Sequence, residues 1–253
     1  MAEPLLVGRG VGKRYGGVVA LANVDITVDR GEILGLVGPN GAGKTTLVDV
    51  ITGAQSANSG HLTLDGAILS GPPSRRARAG LARTFQNPQL ALDLSVAANL
   101  LVGRAAVRQR NPWRVVTSLV AGVVNPHPKS DVDAIRELAA EVGLSGLQRP
   151  ASDLSLGEQR LVEVARALGQ DPTVLLLDEP TSGLGEDEIG RLTRVIEDTK
   201  AAGQCAVVLV EHDIAFVMEH ADRVTALLRG EIIATGTPAQ VRQDNQVRAA
   251  YLN

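Results

Sequence analysis

Residues 38–46 read Gly-Pro-Asn-Gly-Ala-Gly-Lys-Thr-Thr, a full match to the pattern G-x-x-x-x-G-K-[ST]. That spacing suits one task, which is to wrap backbone N–H groups around phosphate oxygens. Gly38, Gly41 and Gly43 let the chain curl, because a side chain at those positions would block the approach or forbid the torsions. Pro39, Asn40 and Ala42 complete the backbone cradle, and Lys44 adds a point charge for the β- and γ-phosphates. The Thr45 hydroxyl is placed to ligate Mg²⁺, with Thr46 next to it. Before the loop, Ile33-Leu34-Gly35-Leu36-Val37 is an apolar, strand-like run. After it, Thr46-Leu47-Val48-Asp49-Val50-Ile51-Thr52 reads as a helix closing at Gly53. The phosphates would then sit at a helix N-terminus, where unpaired N–H groups and the macrodipole favour anions. The alternative is an accidental glycine-rich turn; the full match and its context predict a site for a nucleoside triphosphate.

Two further apolar runs end in groups that can do chemistry. Val174-Leu175-Leu176-Leu177 leads into Asp178-Glu179, and Ala206–Val210 leads into Glu211-His212. Continuous runs of this length suit parallel strands buried on both faces, and open parallel sheets bind ligands beyond the carboxyl ends of their strands. Three strands delivering reactive groups to one edge argue for one site. There Asp178 would hold Mg²⁺ and Glu179 would polarise the water that attacks the γ-phosphate. Adjacent acids at a strand end could equally cap the next turn.

The elements that position these groups are legible in outline. Val18-Val19-Ala20-Leu21 and Val24-Asp25-Ile26-Thr27-Val28 read as antiparallel strands, with Asp29-Arg30-Gly31 as a turn, and His61-Leu62-Thr63-Leu64 before Asp65-Gly66 is a hairpin signal. Between Ser130 and Gly143, Val132, Ile135, Leu138, Ala139 and Val142 share one helical face. Leu161, Val164, Ala165 and Leu168 mark another helix, and Ile189, Leu192, Val195 and Ile196 a third. Proline-rich punctuation at 111–113 and 125–128 suggests loops and a short helix. With 253 residues, 44% of them hydrophobic, the chain can bury a large core. A net charge of −3 gives no global pull toward nucleic acid or an anionic membrane. Arginines cluster at 75, 76, 78 and 83 and again at 104, 108 and 110, for which a solvated surface is the default reading. The single cysteine, Cys205, lies at an apolar run and reads as a small core residue in a reducing compartment. No run approaches the ~20 apolar residues of a membrane span, and the N-terminus carries no signal-peptide pattern.

The most telling segment is Leu154-Ser155-Leu156-Gly157-Glu158-Gln159, opening a helix shortly before the acidic pair. By itself it could be an ordinary capping arrangement. In this order, between these motifs, the chain resembles the ATP-binding cassette family, whose signature most often reads Leu-Ser-Gly-Gly-Gln. Leu156 and Glu158 depart from that form and leave the serine and the central glycine in place. The resemblance implies an α/β fold: a phosphate-loop NTPase core with a mainly parallel central sheet, an antiparallel β subdomain and an inserted α-helical subdomain. It implies one domain over 1–253, with the core at 1–86 and 160–253 and the helical part at 87–159. It implies that Ser155, Gly157 and Glu158 contact, in trans, the ATP held by a partner's phosphate loop. Tyr15, just before Gly16-Gly17, matches the adenine-stacking aromatic. Gln86 matches the glutamine that touches Mg²⁺, and His212 the histidine that contacts the γ-phosphate. Lys44, Gln86, Glu179 and His212 are then the catalytic set, and Thr45, Gln86 and Asp178 the metal set. Two departures stand out. Gly185 occupies the place of an interface Asp or Asn, leaving that contact to be lost, made by backbone, or taken over by Glu186 or Asp187; and Ala98 stands where relatives usually carry Glu.

Residues 82–88, Leu156, Glu211-His212-Asp213 with Val217-Met218, and the ending from Gly236-Thr237-Pro238-Ala239 to Ala250-Tyr251-Leu252 resemble the branched-chain amino-acid importer ATPases. Segment 104–129 is similar to the larger of that importer's two ATPase subunits, and similar ATPases serve urea, other amides and amino acids. The resemblance implies an ATPase at the cytoplasmic face of the membrane, soluble when isolated and using ATP and Mg²⁺. It would pair with a second cassette, identical or sister, and with transmembrane permease subunits. A periplasmic or lipoprotein solute-binding protein would take part indirectly, and no nucleic acid. An exporter cassette, for example for lipopolysaccharide, and a soluble non-transport cassette ATPase are the alternatives. Ribosomal members usually carry two cassettes and DNA-repair members long coiled-coil insertions, and this chain has neither.

Overall fold

The computed structural model describes residues 4–108 and 129–251. Along the chain these form β1 (Leu6–Tyr15), β2 (Val18–Val28), β3 (Ile33–Val37), α1 (Lys44–Thr52), β4 (Ser59–Leu64), β5 (Ala67–Ile68), α2 (Pro73–Arg78) and β6 (Leu81–Arg83). Then come α3 (Val96–Arg108), α4 (Lys129–Glu141), a 3₁₀ turn at Ala151–Asp153, α5 (Leu156–Leu168), β7 (Val174–Asp178) and α6 (Glu186–Ala201). The last elements are β8 (Ala206–Val210), α7 (Ile214–His220), β9 (Arg223–Leu228), β10 (Glu231–Gly236), α8 (Pro238–Gln243) and α9 (Asn245–Tyr251). Two compact units result: Met1–Gln86 with Thr173–Ser182 and Ile196–Asn253, and Asn87–Pro172 with Gly183–Val195.

In the first unit a six-stranded sheet runs β10-β9-β3-β8-β7-β6, and every pair is parallel except β10–β9. All residues of β3, β7 and β8 are buried, which is why their sequences are unbroken apolar runs. The second sheet, β2-β1-β4-β5, is antiparallel throughout. Here the structure corrects the sequence reading. Residues 18–21 and 24–28 are one continuous strand, whose polar middle is carried by Asn23 in the left-handed region at φ 55° and by register shifts against β1. The partner strand β1 gave no sequence signal, because Gly8, Arg9, Gly10 and Gly12 break its apolar alternation. The turn at 29–31 and the β4–β5 hairpin are present as expected. Cys205 is buried immediately before β8, a strand in the interior of the sheet.

In the second unit α3, α4 and α5 pack on one another around Val96, Leu100, Ile135, Ala139, Leu161 and Ala165. Asn99, 1% exposed, accepts from Ala91 N and donates to Ala91 O and Ser95 O, fixing the loop ahead of α3. The sequence reading ended the helical part at residue 159; the compact unit runs on to Pro172 because α5 continues to Leu168 within the same packing. The loops and helix expected at 111–128 lie outside the described residues. Among the described residues no helix is long and apolar enough to cross a membrane.

Candidate functional site

Helix α1 begins at Lys44 with Gly43 as its N-cap, in the left-handed region at φ 108°, where a Cβ would come within 2.7 Å of Ala20 O. No side chain caps this end and no acid lies in its first turn, so its N–H groups are left for another acceptor. Lys44 is only 6% exposed, and its ammonium donates to Gly38 O at 2.5 Å and Pro39 O at 3.4 Å. Burial pulls its pKa below the usual lysine range, while Glu179, Asp178 and Glu211 pull it back up. A buried cation bonded to carbonyls, beside an uncapped helix start, is a cradle that fits a polyphosphate.

The acids that draw the Lys44 pKa back up come from the ends of β7 and β8. Asp178 closes β7 opposite Val210. Glu179 follows at φ 48°, a left-handed conformation uncommon for a non-glycine residue, held by its N–H to Val210 O at 2.8 Å. Gln86 donates through Nε2 to Glu179 Oε2 at 2.8 Å. His212 Nδ1 lies 3.8 Å from Glu179 Oε2 and 3.8 Å from Glu211 Oε2. The first unit thus draws Lys44, Gln86, Asp178, Glu179 and His212 into one cluster, with Thr45 exposed at the start of α1. Tyr15, 44% exposed at the end of β1, has the Lys13 ammonium 4.9 Å from its ring centroid.

Two arginines assigned by default to solvent are not there. Arg83 bridges Asp49 of α1 at 2.5 Å and Asp178 at 2.8 Å, with 10% of its side chain exposed, and lies over the Phe85 ring. Arg76, 8% exposed, donates to Val50 O, Ile51 O and Gly71 O. Sequence spacing gives no warning of either, since their farthest partners are 26 and 95 residues away. The sequence brings Glu211 to this edge beside His212 but gives it no part, since an acid before a histidine carries no motif of its own.

Mg²⁺ fits the residues present. The Thr45 hydroxyl, the Gln86 amide and the Asp178 carboxylate supply hard oxygen donors. Among the described residues no cluster of His, Cys, Asp and Glu could hold a metal as a cage. An ion here would share its coordination with phosphate, as Mg²⁺ commonly does.

The second unit contains its own polar cluster. Ser155 N-caps α5 in a full capping box: its Oγ accepts from Glu158 N at 3.0 Å, and Glu158 Oε2 accepts from Ser155 N at 2.9 Å. The other Glu158 oxygen takes Arg149 Nη1 at 3.3 Å. Glu188, on α6, accepts from Gly185 N at 2.9 Å and from the Ser155 hydroxyl at 3.4 Å. A Cβ on Gly157 would run into both Glu188 carboxylate oxygens. Within the chain, the acid that folds back to Gly185 is Glu188.

Comparisons with known proteins give the family of the chain. Residues 21–182 match the family model described as ABC transporter, and residues 231–252 match the model described as branched-chain amino acid ATP-binding cassette transporter. The chain is 35% identical to the high-affinity branched-chain amino acid transport ATP-binding protein LivG of Salmonella typhimurium, over all of this chain and 99% of the relative. It is equally similar, over the same shares, to the corresponding protein BraF of Pseudomonas aeruginosa. A solved structure of MJ1267, an ATP-binding cassette of an ABC transporter in its ADP conformation, superposes with a TM-score of 0.85 at 29% identity, each chain covered in full.

Proposed function

The chain belongs to the ABC transporter family, and we propose that it is the ATP-hydrolysing subunit of a membrane importer for branched-chain amino acids or related small solutes. One observation carries the catalytic part: the buried Lys44 ammonium, set beside an uncapped helix start and within the field of Asp178, Glu179 and Glu211. The substrate class rests on the likeness to LivG and BraF over the whole chain.

In this reading ATP lies with its adenine against Tyr15 and its phosphates in the loop from Gly38 to Thr46. Lys44 turns from the Gly38 and Pro39 carbonyls to the β- and γ-phosphate oxygens. Thr45, Gln86 and Asp178 would hold Mg²⁺, which supplies charge neutralisation on those phosphates. Glu179 orients a water in line with the γ-phosphorus and accepts its proton as the new O–P bond forms. The bond to the bridging oxygen breaks and ADP departs. His212 donates to a γ-phosphate oxygen, stabilising charge that builds there. Ser155 and Gly157 of one cassette meet the ATP of a second cassette, and Glu158 serves that surface through its hold on the cap. Closure of the pair drives permease partners from the cytoplasmic face of the membrane.

Purified protein should hydrolyse ATP. Lys44→Ala should reduce turnover to background, and near-normal hydrolysis would remove Lys44 from the site. Glu179→Gln keeps the side-chain shape but weakens the proton acceptor. It should bind ATP and turn over at least ~100-fold more slowly. Reconstitution with candidate permeases and their binding protein, read as solute-stimulated ATPase, tests the substrate. Stimulation by solutes unrelated to amino acids or amides would overturn that part.

A further inference from the structure

We infer that Glu211 is a positioning residue for hydrolysis, one carboxylate oxygen pinning the loop that follows Glu179 and the other orienting His212 by its Nδ1. The inference rests on the roles proposed above for Glu179 and His212, and adds a residue to which no motif assigns a part.

Glu211 is 0% exposed. A carboxylate taken out of water costs several kcal/mol unless its oxygens are held. Oε1 is well held: Thr181 donates to it through both its backbone N at 2.9 Å and its hydroxyl at 2.7 Å. Thr181 lies two residues beyond Glu179, whose left-handed backbone is closed by Ser182 N to Glu179 O at 3.2 Å. The pair of bonds therefore ties down the far side of the turn that aims Glu179. Oε2 is different. It is buried without a hydrogen-bond partner among the described residues, and His212 Nδ1 lies 3.8 Å from it, beyond hydrogen-bond distance. The same nitrogen lies 3.8 Å from Glu179 Oε2.

A residue needed only to anchor Thr181 would use one acceptor, and a buried, unanswered second oxygen would be a pure cost. Burial does push the Glu211 carboxyl above the usual range, and the groups that draw it back are Thr181 and His212. Its second oxygen is explained by the imidazole. With Nδ1 facing the two carboxylates at 3.8 Å, Nε2 is the ring nitrogen left facing away from them, which is the orientation the reaction requires, and donation from both nitrogens at once needs the imidazolium form.

The test is a double-mutant cycle on ATP turnover of the full chain, with ATP affinity measured by equilibrium binding and folding checked by thermal melting. Glu211→Gln keeps an acceptor for Thr181 and replaces Oε2 with an amide nitrogen that cannot accept from Nδ1–H. It should lower kcat about tenfold or more, the scale of lost second-layer support, with ATP affinity within about twofold. In a His212→Ala background the same change should cost less than about twofold. A Glu211→Gln enzyme with unaltered kcat sinks the inference, and so does a full penalty persisting without His212. If His212→Ala turns over at the parent rate, the role proposed for His212 falls and this inference with it. A slow His212→Ala beside a fast Glu211→Gln refutes the inference alone. Should the amide variant fail to fold, Glu211→Asp, which withdraws both oxygens by one methylene, is read by the same criterion.

Discussion

At the scale of single residues, the carboxylate of Glu188 lies against Ser155 and Gly157, the surface that in the proposed reading receives a partner's phosphate. It holds Gly185 N at 2.9 Å and the Ser155 hydroxyl at 3.4 Å, and it fills the space a Cβ on Gly157 would need. If Ser155 is to donate to a γ-phosphate oxygen, this carboxylate must leave, since two anions in a partly desolvated gap repel. Glu188→Gln keeps the acceptor for Gly185 N and removes the charge. In a Glu179→Gln background, where ATP is bound but not consumed, Glu188→Gln should let cassettes pair at about threefold to tenfold lower ATP concentration, or ~0.7–1.4 kcal/mol. Sedimentation or light scattering against ATP concentration reads this directly. Unchanged or weaker pairing would leave Glu188 as a helix cap and nothing more. The position was readable only from the structure. At N3 of α6 it is Glu188 that reaches back to the N-cap N–H of Gly185, a local bond that the sequence alone did not single out.

At the scale of elements, the site is made by strand ends, and it matters where each chain leaves its strand. After β8, Asp213 accepts from Ala215 N at 2.9 Å and Phe216 N at 3.4 Å, capping α7 and setting the turn that carries His212. Asp213→Ala should destabilise the protein by about 1 kcal/mol, the usual loss of an acidic N-cap. For a chain of this length that is a fall in Tm of about 2–4 °C. ATP affinity should be unchanged; a melting curve identical to the parent's would show that the cap contributes nothing. The elements themselves were unevenly legible. β3, β7 and β8 were plain because burial on both faces demands unbroken apolar runs, and α1 because a glycine loop must end in a helix start. β1 was invisible because its glycines and Arg9 erase the period of two, although it pairs with β2 on one side and β4 on the other. Arg83 was read as solvent-facing because a cluster of arginines usually is; its two carboxylate partners come from α1 and β7, a convergence that local spacing cannot encode.

At the scale of the whole molecule, the residues assigned in the proposed reading to the two halves of a phosphate site lie in different compact units: Lys44 with Asp178 and Glu179 in one, Ser155 with Gly157 in the other. In the proposed sandwich each half meets its complement on a second cassette, so binding and hydrolysis are separable by mutation. Gly157→Asp puts a carboxylate on the signature surface, against the bound triphosphate of the partner and against Glu188 of its own chain. ATP should still bind the single cassette with near-parent affinity, because Tyr15, Lys44 and Thr45 belong to the first unit. ATP-driven pairing and hydrolysis should both be lost. Circular dichroism guards against misfolding, since the new side chain also displaces Glu188. Gly157→Ala is the milder companion, expected to reduce turnover in proportion to its loss of pairing. Equal loss of ATP binding with the fold intact would place Gly157 in the same site as Lys44 and refute the sandwich. Full activity would mean that residues 154–159 are only the capped start of α5.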